Sequence, residues 1–147
     1  MIVIRMEGIN MNNSIIYQGP SLIDGSPIVV IAVTQSSNKK TGDMVQTYII
    51  RADKDPREAN KDGSDFAICG NCKHRGEANN DSTVKLAKNR SCYVNIGQGP
   101  TTVYKKFIRG GYDTATDIPA LGRGRMVRLG TYGDPAAVPS HIWDALL

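Results

Sequence analysis

Histidine is almost missing from this sequence. His74 and His141 are the only two, and neither lies in a nucleophile motif, which excludes a Ser–His–Asp hydrolase arrangement. His141, beside Ser140, reads as a surface residue. Aromatic residues make up only 6% of the chain, too few for the rows of stacking platforms that single-strand binders use. Long apolar runs are also lacking: the longest, Ile28 to Val33, is six residues, far short of a membrane span, so no membrane partner is expected. Cysteine is scarce and odd in number, at three, which argues against a disulfide framework. Unpaired thiols belong in a reducing compartment, so a cytoplasmic location is expected.

What is present fits one domain of ordinary size. The 147 residues are 40% hydrophobic and 22% charged, enough apolar material to bury a real core. Fifteen glycines and seven prolines point to a loop-rich architecture. The net charge of +4 is a mild basic bias, compatible with a nucleotide or nucleic-acid partner. Lys105, Lys106, Arg109, Arg123, Arg125 and Arg128 gather late in the chain. They form either a solvated basic face or a phosphate-contacting one.

Periodicity places the elements. Residues 1–13 form an N-terminal extension in which Ile2, Ile4 and Met6 alternate weakly, and residues 14–147 form a single domain. Pro27–Val33 is β-branched and apolar on both faces, which predicts a strand covered on both sides. A polar loop over 35–43 leads to a second strand, 44–51, and the pair reads as an antiparallel hairpin. Asp55-Pro56-Arg57-Glu58 is a helix start, with Asp55 as cap and Pro56 at the first position. A third strand is expected at Cys92–Ile96. Gly97-Gln98-Gly99-Pro100 then leads into a helix over 101–109, capped by Thr101. That junction can hold an anion or serve as a plain turn. Residues 112–124 read as irregular and Met126–Gly130 as a fourth strand. A last helix runs from Pro139 or Ser140, with Ser140 as its cap, and presents Ile142, Trp143, Leu146 and Leu147. Such a sticky face needs burial in its own domain or against another chain. Open sheet edges invite the same solution, a two-fold homodimer, unless the N-terminal extension covers them.

The chemistry concentrates at Cys69-Gly70-Asn71-Cys72-Lys73-His74, answered by Cys92. Two thiols separated by two residues can grip one ion from a tight turn, and Gly70 lets the backbone fold back. Thiolates at this spacing suit zinc or an iron–sulfur cluster. Three thiolates with one open position favour the cluster. Recruitment of His74 as fourth ligand favours zinc.

The run Cys69-x-x-Cys72, then Ser91-Cys92-Tyr93-Val94-Asn95-x-Gly97-Gln98-Gly99-Pro100, then Arg128-Leu129-Gly130-x-x-Gly133-Asp134-Pro135-Ala136-Ala137-Val138-Pro139 resembles an uncharacterised family of phage and prophage proteins. More distantly it resembles phage proteins related to the radical-SAM-like βα barrels, whose cysteines hold an iron–sulfur cluster and which carry a Gly-Asp at a strand's end. The likeness covers roughly residues 14–147. It implies an α/β fold, a partial βα-barrel-like sheet with helices after strands, and a chain that forms the front part of a longer one. The C-x3-C-x2-C loop of the radical-SAM superfamily is absent here, so S-adenosylmethionine chemistry is not implied.

In such a fold, ligands bind in loops at the strands' carboxyl ends. Asn95 and Gln98 after the third strand, Arg128 in the fourth and Asp134 after it are therefore the candidate ligand-binding residues. Asp134 is equally suited to cap a turn before Pro135. Two functions are expected to compete. One is a phage-type metalloprotein that binds a nucleotide or nucleic acid beside its metal. The other is a non-enzymatic interaction protein, such as an inhibitor of a host defence, with a structural zinc or no metal. No catalytic residue is assigned.

Overall fold

The structure is a computed structural model and describes residues 13–34 and 44–147. The N-terminal alternation at Ile2 to Met6 and the polar loop over 35–43 lie outside the described residues. The elements run β1 (Ser14–Pro20), β2 (Pro27–Val33), β3 (Val45–Arg51), α1 (Pro56–Asp62), α2 (Phe66–Cys69), α3 (Gly99–Ile108), β4 (Asp113–Thr114), α4 (Ile118–Gly122), β5 (Val127–Tyr132), a 3-10 turn (Pro135–Ala137) and α5 (Ser140–Leu146).

Five strands form one mixed sheet in the order β4-β1-β2-β3-β5. The β1–β2 and β2–β3 pairs are antiparallel, whereas β4 and β5 join the two edges in parallel. The mixed α/β class is therefore as expected, and the sheet is open among the described residues. Its centre differs from a βα repeat, because β1 and β2 are joined by a short turn rather than a helix. The burial of β2 follows its composition: Ile28 through Ala32 are all fully buried, since a strand apolar on both faces has to be covered on both. The hairpin with β3 has the expected antiparallel register, with Val30 opposite Ile49.

α1 starts as its sequence dictates. The Asp55 carboxylate accepts from the Arg57 N–H at 2.8 Å, Pro56 opens the helix, and Gly63 closes it in the left-handed region at φ 84°. Other boundaries differ from expectation. Ile15-Ile16-Tyr17, assigned to no element from the sequence, lies in the seven-residue strand β1. Residues 112–124 contain β4 and α4, the latter capped by Asp117 on the Ala120 N–H. Ser140 is the first residue of α5 rather than its cap, and Pro139 precedes it with no side-chain bond.

The last helix finds its partners at home. Ile142 and Trp143 are each 7% exposed and Leu146 is 1% exposed, and the Trp143 indole N–H donates to the Pro135 carbonyl at 2.9 Å. Leu147, by contrast, stays exposed. The sheet edges are blunted as well. β4 has only two residues, and the β3–β5 ladder is interrupted where Gln46 and Tyr48 face Arg128 and Tyr132. There the fully buried Thr47 hydroxyl replaces the missing ladder bonds, donating to the Arg128 carbonyl at 2.9 Å and accepting from the Gly130 N–H at 2.8 Å. Short and bulged edges are poor templates for pairing with another chain.

Because Leu146 packs within its own chain, Leu146→Ala is expected to lower the unfolding free energy by about 2 to 5 kcal/mol. Urea denaturation at several protein concentrations checks this. A midpoint loss that depended on concentration would place the helix in an interface between chains instead.

Candidate functional site

The stretches that carry the three cysteines are tied to one another by a buried polar anchor. The Asp65 carboxylate, 2% exposed, accepts from Arg75 Nη1 at 2.6 Å and from Asn60 Nδ2 at 3.0 Å. Asn60 also donates to the Arg75 carbonyl and accepts from the Ala87 N–H. One acid thus ties the end of α1 to the loop that follows Cys72 and to the polar excursion before Cys92. Burial raises the Asp65 pKa, against the opposing pull of the Asn60 and Arg75 hydrogen bonds.

From this anchor, α2 carries Phe66 to Cys69, and Gly70 ends it at φ 57°, a backbone that favours glycine. Cys72 follows, exposed. The third cysteine arrives because the His74 carbonyl accepts the Ser91 and Cys92 N–H groups at 3.0 and 2.9 Å. From the other side, the Asp134 N–H donates to the Ile68 carbonyl, which seats the end of β5 against α2. All three thiols are free and line one cavity of about 230 Å³, together with Tyr93, Val94 and residues 130–134. Gly133, at φ 91°, is required here: a Cβ would lie 2.7 Å from Ile49 Cβ. The cavity opens at the carboxyl end of β5, where ligand loops were expected.

The remaining expected site residues divide. Asp134 lines the cavity, and its Oδ1 also accepts from the Ala136 N–H at 2.9 Å, capping the 3-10 turn. Arg128 is outside the lining and meets it only through Tyr93: its guanidinium donates to the Tyr93 hydroxyl and lies 5.9 Å from the ring centroid. His74 is not part of the lining, and its Nδ1 is 2.9 Å from the Ser91 hydroxyl. Asn95 and Gln98 are exposed and outside the cavity.

The expected strand at Cys92–Ile96 does not form. The Arg90 guanidinium takes the Cys92 and Val94 carbonyls and Asn95 Oδ1 takes the Gly97 N–H, so the segment turns instead of pairing. Its one core residue is Ile96. Nor is Thr101 the cap of α3, which begins at Gly99. Its hydroxyl and N–H both donate to the Ile96 carbonyl. With Pro100 lacking an N–H, two of the first three helical positions have nothing to offer an anion. The basic residues are also partly engaged: Lys106 lies over the Tyr112 ring and Arg125 donates to the Thr34 carbonyl.

Two contributors were not visible in the sequence. Tyr132 and Thr131 line the cavity, and among the described residues the Tyr132 hydroxyl and Thr131 Oγ1 are buried without a hydrogen-bond partner. The available signal was their bracketing by Gly130 and Gly133, which bends the strand end inward. The electrostatics follow from burial. The Cys69 thiol is pushed up to about 12, by desolvation first and then by the Asp65 charge and the neighbouring Cys72 and Cys92. Desolvation likewise raises the Tyr132 phenol well above its usual range, with Cys69 and Asp65 adding to it and Arg90 opposing. As the side chains stand, no group of three or more His, Cys, Asp or Glu among the described residues is gathered closely enough to hold an ion. Among the described residues no helix is long and apolar enough to cross a membrane. No protein-family model matches the chain, and neither does any curated protein or solved structure.

The Cys69 shift has a measurable consequence. The metal-free fold keeps this thiol protonated up to about pH 12, whereas the unfolded chain releases the proton near its ordinary value of 9.0. Stability attributable to Cys69 is therefore fully present below pH 9.0 and is lost as pH rises toward about 12, with a slope near 1.4 kcal/mol per pH unit. Chemical denaturation across that range should show a shallower decline in Cys69→Ala than in the parent chain.

Proposed function

We propose that this is a metal–thiolate protein in which Cys69, Cys72 and Cys92 hold one soft metal centre, zinc or an iron–sulfur cluster, at the carboxyl end of β5. The observation that carries the reading is that three free thiols, from two separate stretches of chain, line one cavity. Thiolates are the ligands such ions select. Closure on the ion asks most of Cys72, the exposed thiol of the three. His74 lies outside the cavity lining, with Nδ1 against the Ser91 hydroxyl, so the lining itself offers three thiols, and recruitment of His74 through Nε2 would complete a zinc site. A cavity of about 230 Å³ exceeds what one bare ion fills, since even a water molecule takes only about 30 Å³. That leaves space for a cluster, or for an ion with a further ligand.

The rival is a non-enzymatic interaction protein with a structural zinc. It draws on the thiols being spread over α2, the turn after it and the 90–94 segment, so that one ion would tie together stretches that also meet through bonds such as Asp134 N–H to the Ile68 carbonyl. Anaerobic purification with metal analysis and an absorbance spectrum separates the two. A brown protein containing iron and sulfide supports the cluster, and a colourless one with one equivalent of zinc supports the staple. Zinc removal by a chelator should then lower the melting temperature in the second case, because a structural ion contributes its binding energy to folding. A protein that takes up neither metal sinks the metal–thiolate reading and leaves the interaction protein in its metal-free form.

A nucleotide ligand would be received at the cavity mouth. Tyr93 is 78% exposed, and its ring is held by Arg128, so a base can stack on the ring while the guanidinium meets a phosphate. Fluorescence titration with a mononucleotide should give binding weakened by about 1 to 3 kcal/mol in Tyr93→Ala. Equal binding by the variant would remove this part of the reading.

A further inference from the structure

We infer that Cys69-Gly70-Asn71-Cys72 is a dithiol site that exchanges with low-molecular-weight disulfides: Cys72 attacks first, and Cys69 then closes a reversible disulfide across the turn. The exchange needs no metal. The bridge consumes two of the thiols proposed above as metal ligands, so the bridged and metal-bound states exclude each other.

The backbone already holds the pair within reach of a disulfide. The Cys72 N–H donates to the Cys69 carbonyl at 3.3 Å, which closes a four-residue β-turn and keeps its first and fourth Cα atoms within about 7 Å. A disulfide spans Cα separations of about 4.4 to 6.8 Å. Gly70, at φ 57° and ψ −138°, stands at the first central position with the backbone of a type II′ turn, which glycine adopts readily. Both ends of the turn are tied down. The Cys69 N–H donates to the Asp65 carbonyl at 2.8 Å, and the Cys72 carbonyl accepts from the Arg75 N–H at 3.4 Å. Both cysteines are free and line one cavity, which gives the two thiols a common space in which to meet. Cys92 shares that cavity but comes from another stretch, positioned by the His74 carbonyl, and no turn sets its distance from either.

Access divides the roles. Exchange begins with a thiolate that can reach a sulfur of the incoming disulfide. Cys72 is the exposed member of the pair, whereas Cys69 is half-buried. Cys72 also borders a second, open hollow of about 270 Å³ with Lys73, Glu77 and Asn89, so a small disulfide can approach it from a side that Cys69 does not line. In the first step Cys72 loses its proton and its sulfur attacks one sulfur of the small disulfide. That S–S bond breaks, a mixed disulfide forms on Cys72, and the departing thiolate takes up a proton. In the second step Cys69 loses its proton and attacks the Cys72 sulfur. The bridge closes and the other small thiolate leaves, again taking a proton from solvent. Two protein thiols are oxidised and one small disulfide is reduced to two thiols. The second step is intramolecular, so closeness within the turn supplies the effective concentration that a shielded thiol lacks toward reagents in solution.

Incubation of the full chain, reduced and kept metal-free by a chelator, with glutathione disulfide tests this, read by alkylation, trypsin digestion and mass spectrometry. Cys69 and Cys72 share the tryptic peptide 62–73, while Cys92 lies in 91–105. The expected result is peptide 62–73 lighter by two hydrogens, Cys92 alkylated, and full reversal by dithiothreitol. In Cys69→Ser the mixed disulfide on Cys72 should accumulate. In Cys72→Ser glutathione incorporation should slow about tenfold or more, because the remaining thiols are less accessible. A bridge joining 62–73 to 91–105 would overturn the pairing, and so would a mixed disulfide in the parent chain that never resolves. An unchanged rate in Cys72→Ser would overturn its role as the attacking thiol. If Cys69→Ser loses its cooperative melt, the parent's time course decides: glutathione on Cys72 ahead of the bridge supports the order of steps, and glutathione on Cys69 first overturns it. A chain that binds zinc or a cluster yet forms no bridge when metal-free keeps the metal reading and loses this inference. A chain that takes up no metal and forms the bridge does the reverse.

Discussion

A single desolvated carboxylate organises the half of the molecule that carries the thiols. Asp65 has lost nearly all contact with water, so its charge has to be met by protein groups, and Arg75 and Asn60 meet it. Each of these partners is committed elsewhere too. Arg75 reaches the Gly63 carbonyl, and Asn60 bonds the backbone at Arg75 and Ala87. Removing one member of a buried charged set leaves the others exposed to the same penalty. A loop rich in polar residues and poor in core contacts thereby acquires a fixed path, and that path returns Cys92 to the neighbourhood of Cys69 and Cys72.

The same buried charge shapes the chemistry of the thiols. A cysteine becomes a nucleophile when a positive neighbour or a helix N-terminus lowers its pKa. Cys69 has the opposite surroundings: burial, an acid nearby and two further thiols. A Cys-x-x-Cys sequence on its own suits thiol–disulfide exchange as well as metal binding. The raised Cys69 pKa disfavours exchange started by that residue at neutral pH, because the attacking species is the thiolate. A bound cation reverses this balance, since its own charge outweighs the local field and takes a thiol in its deprotonated form.

The opposite wall of the cavity is built by a defect in the sheet. β5 cannot follow β3 residue for residue, and the Thr47 hydroxyl fills the gap. Gly130 and Gly133 then take left-handed conformations, at φ 69° and 91°, that turn residues 130–134 toward α2. Successive side chains of a regular strand point to opposite faces. The broken register is what allows Thr131 and Tyr132 both to border one cavity. Bulges of this kind recur where a strand end has to re-aim a side chain.

Local chemistry in the sequence determined a definite part of this protein. The doubly apolar run at Ile28–Val33 had to be a covered strand, the Asp55-Pro56 pair had to open a helix, and Cys69-Gly70-x-Cys72 had to present two thiols from a tight turn. Each follows from groups within a few residues of one another, so the pattern contains its own cause. Tertiary structure alone decided the rest. Cys92–Ile96 has the composition of a strand, but its carbonyls go to Arg90 and its turn to Asn95, a competition no periodicity reveals. Asp134 and Gln98 were expected on one rim as residues following strands, with Asp134 the stronger candidate. Only Asp134 borders the cavity, because its backbone is bonded to Ile68, far away in the chain. Tyr132 looked like part of a loop, and its buried hydroxyl is a property of the space between β5 and α2, which exists only once both elements are packed.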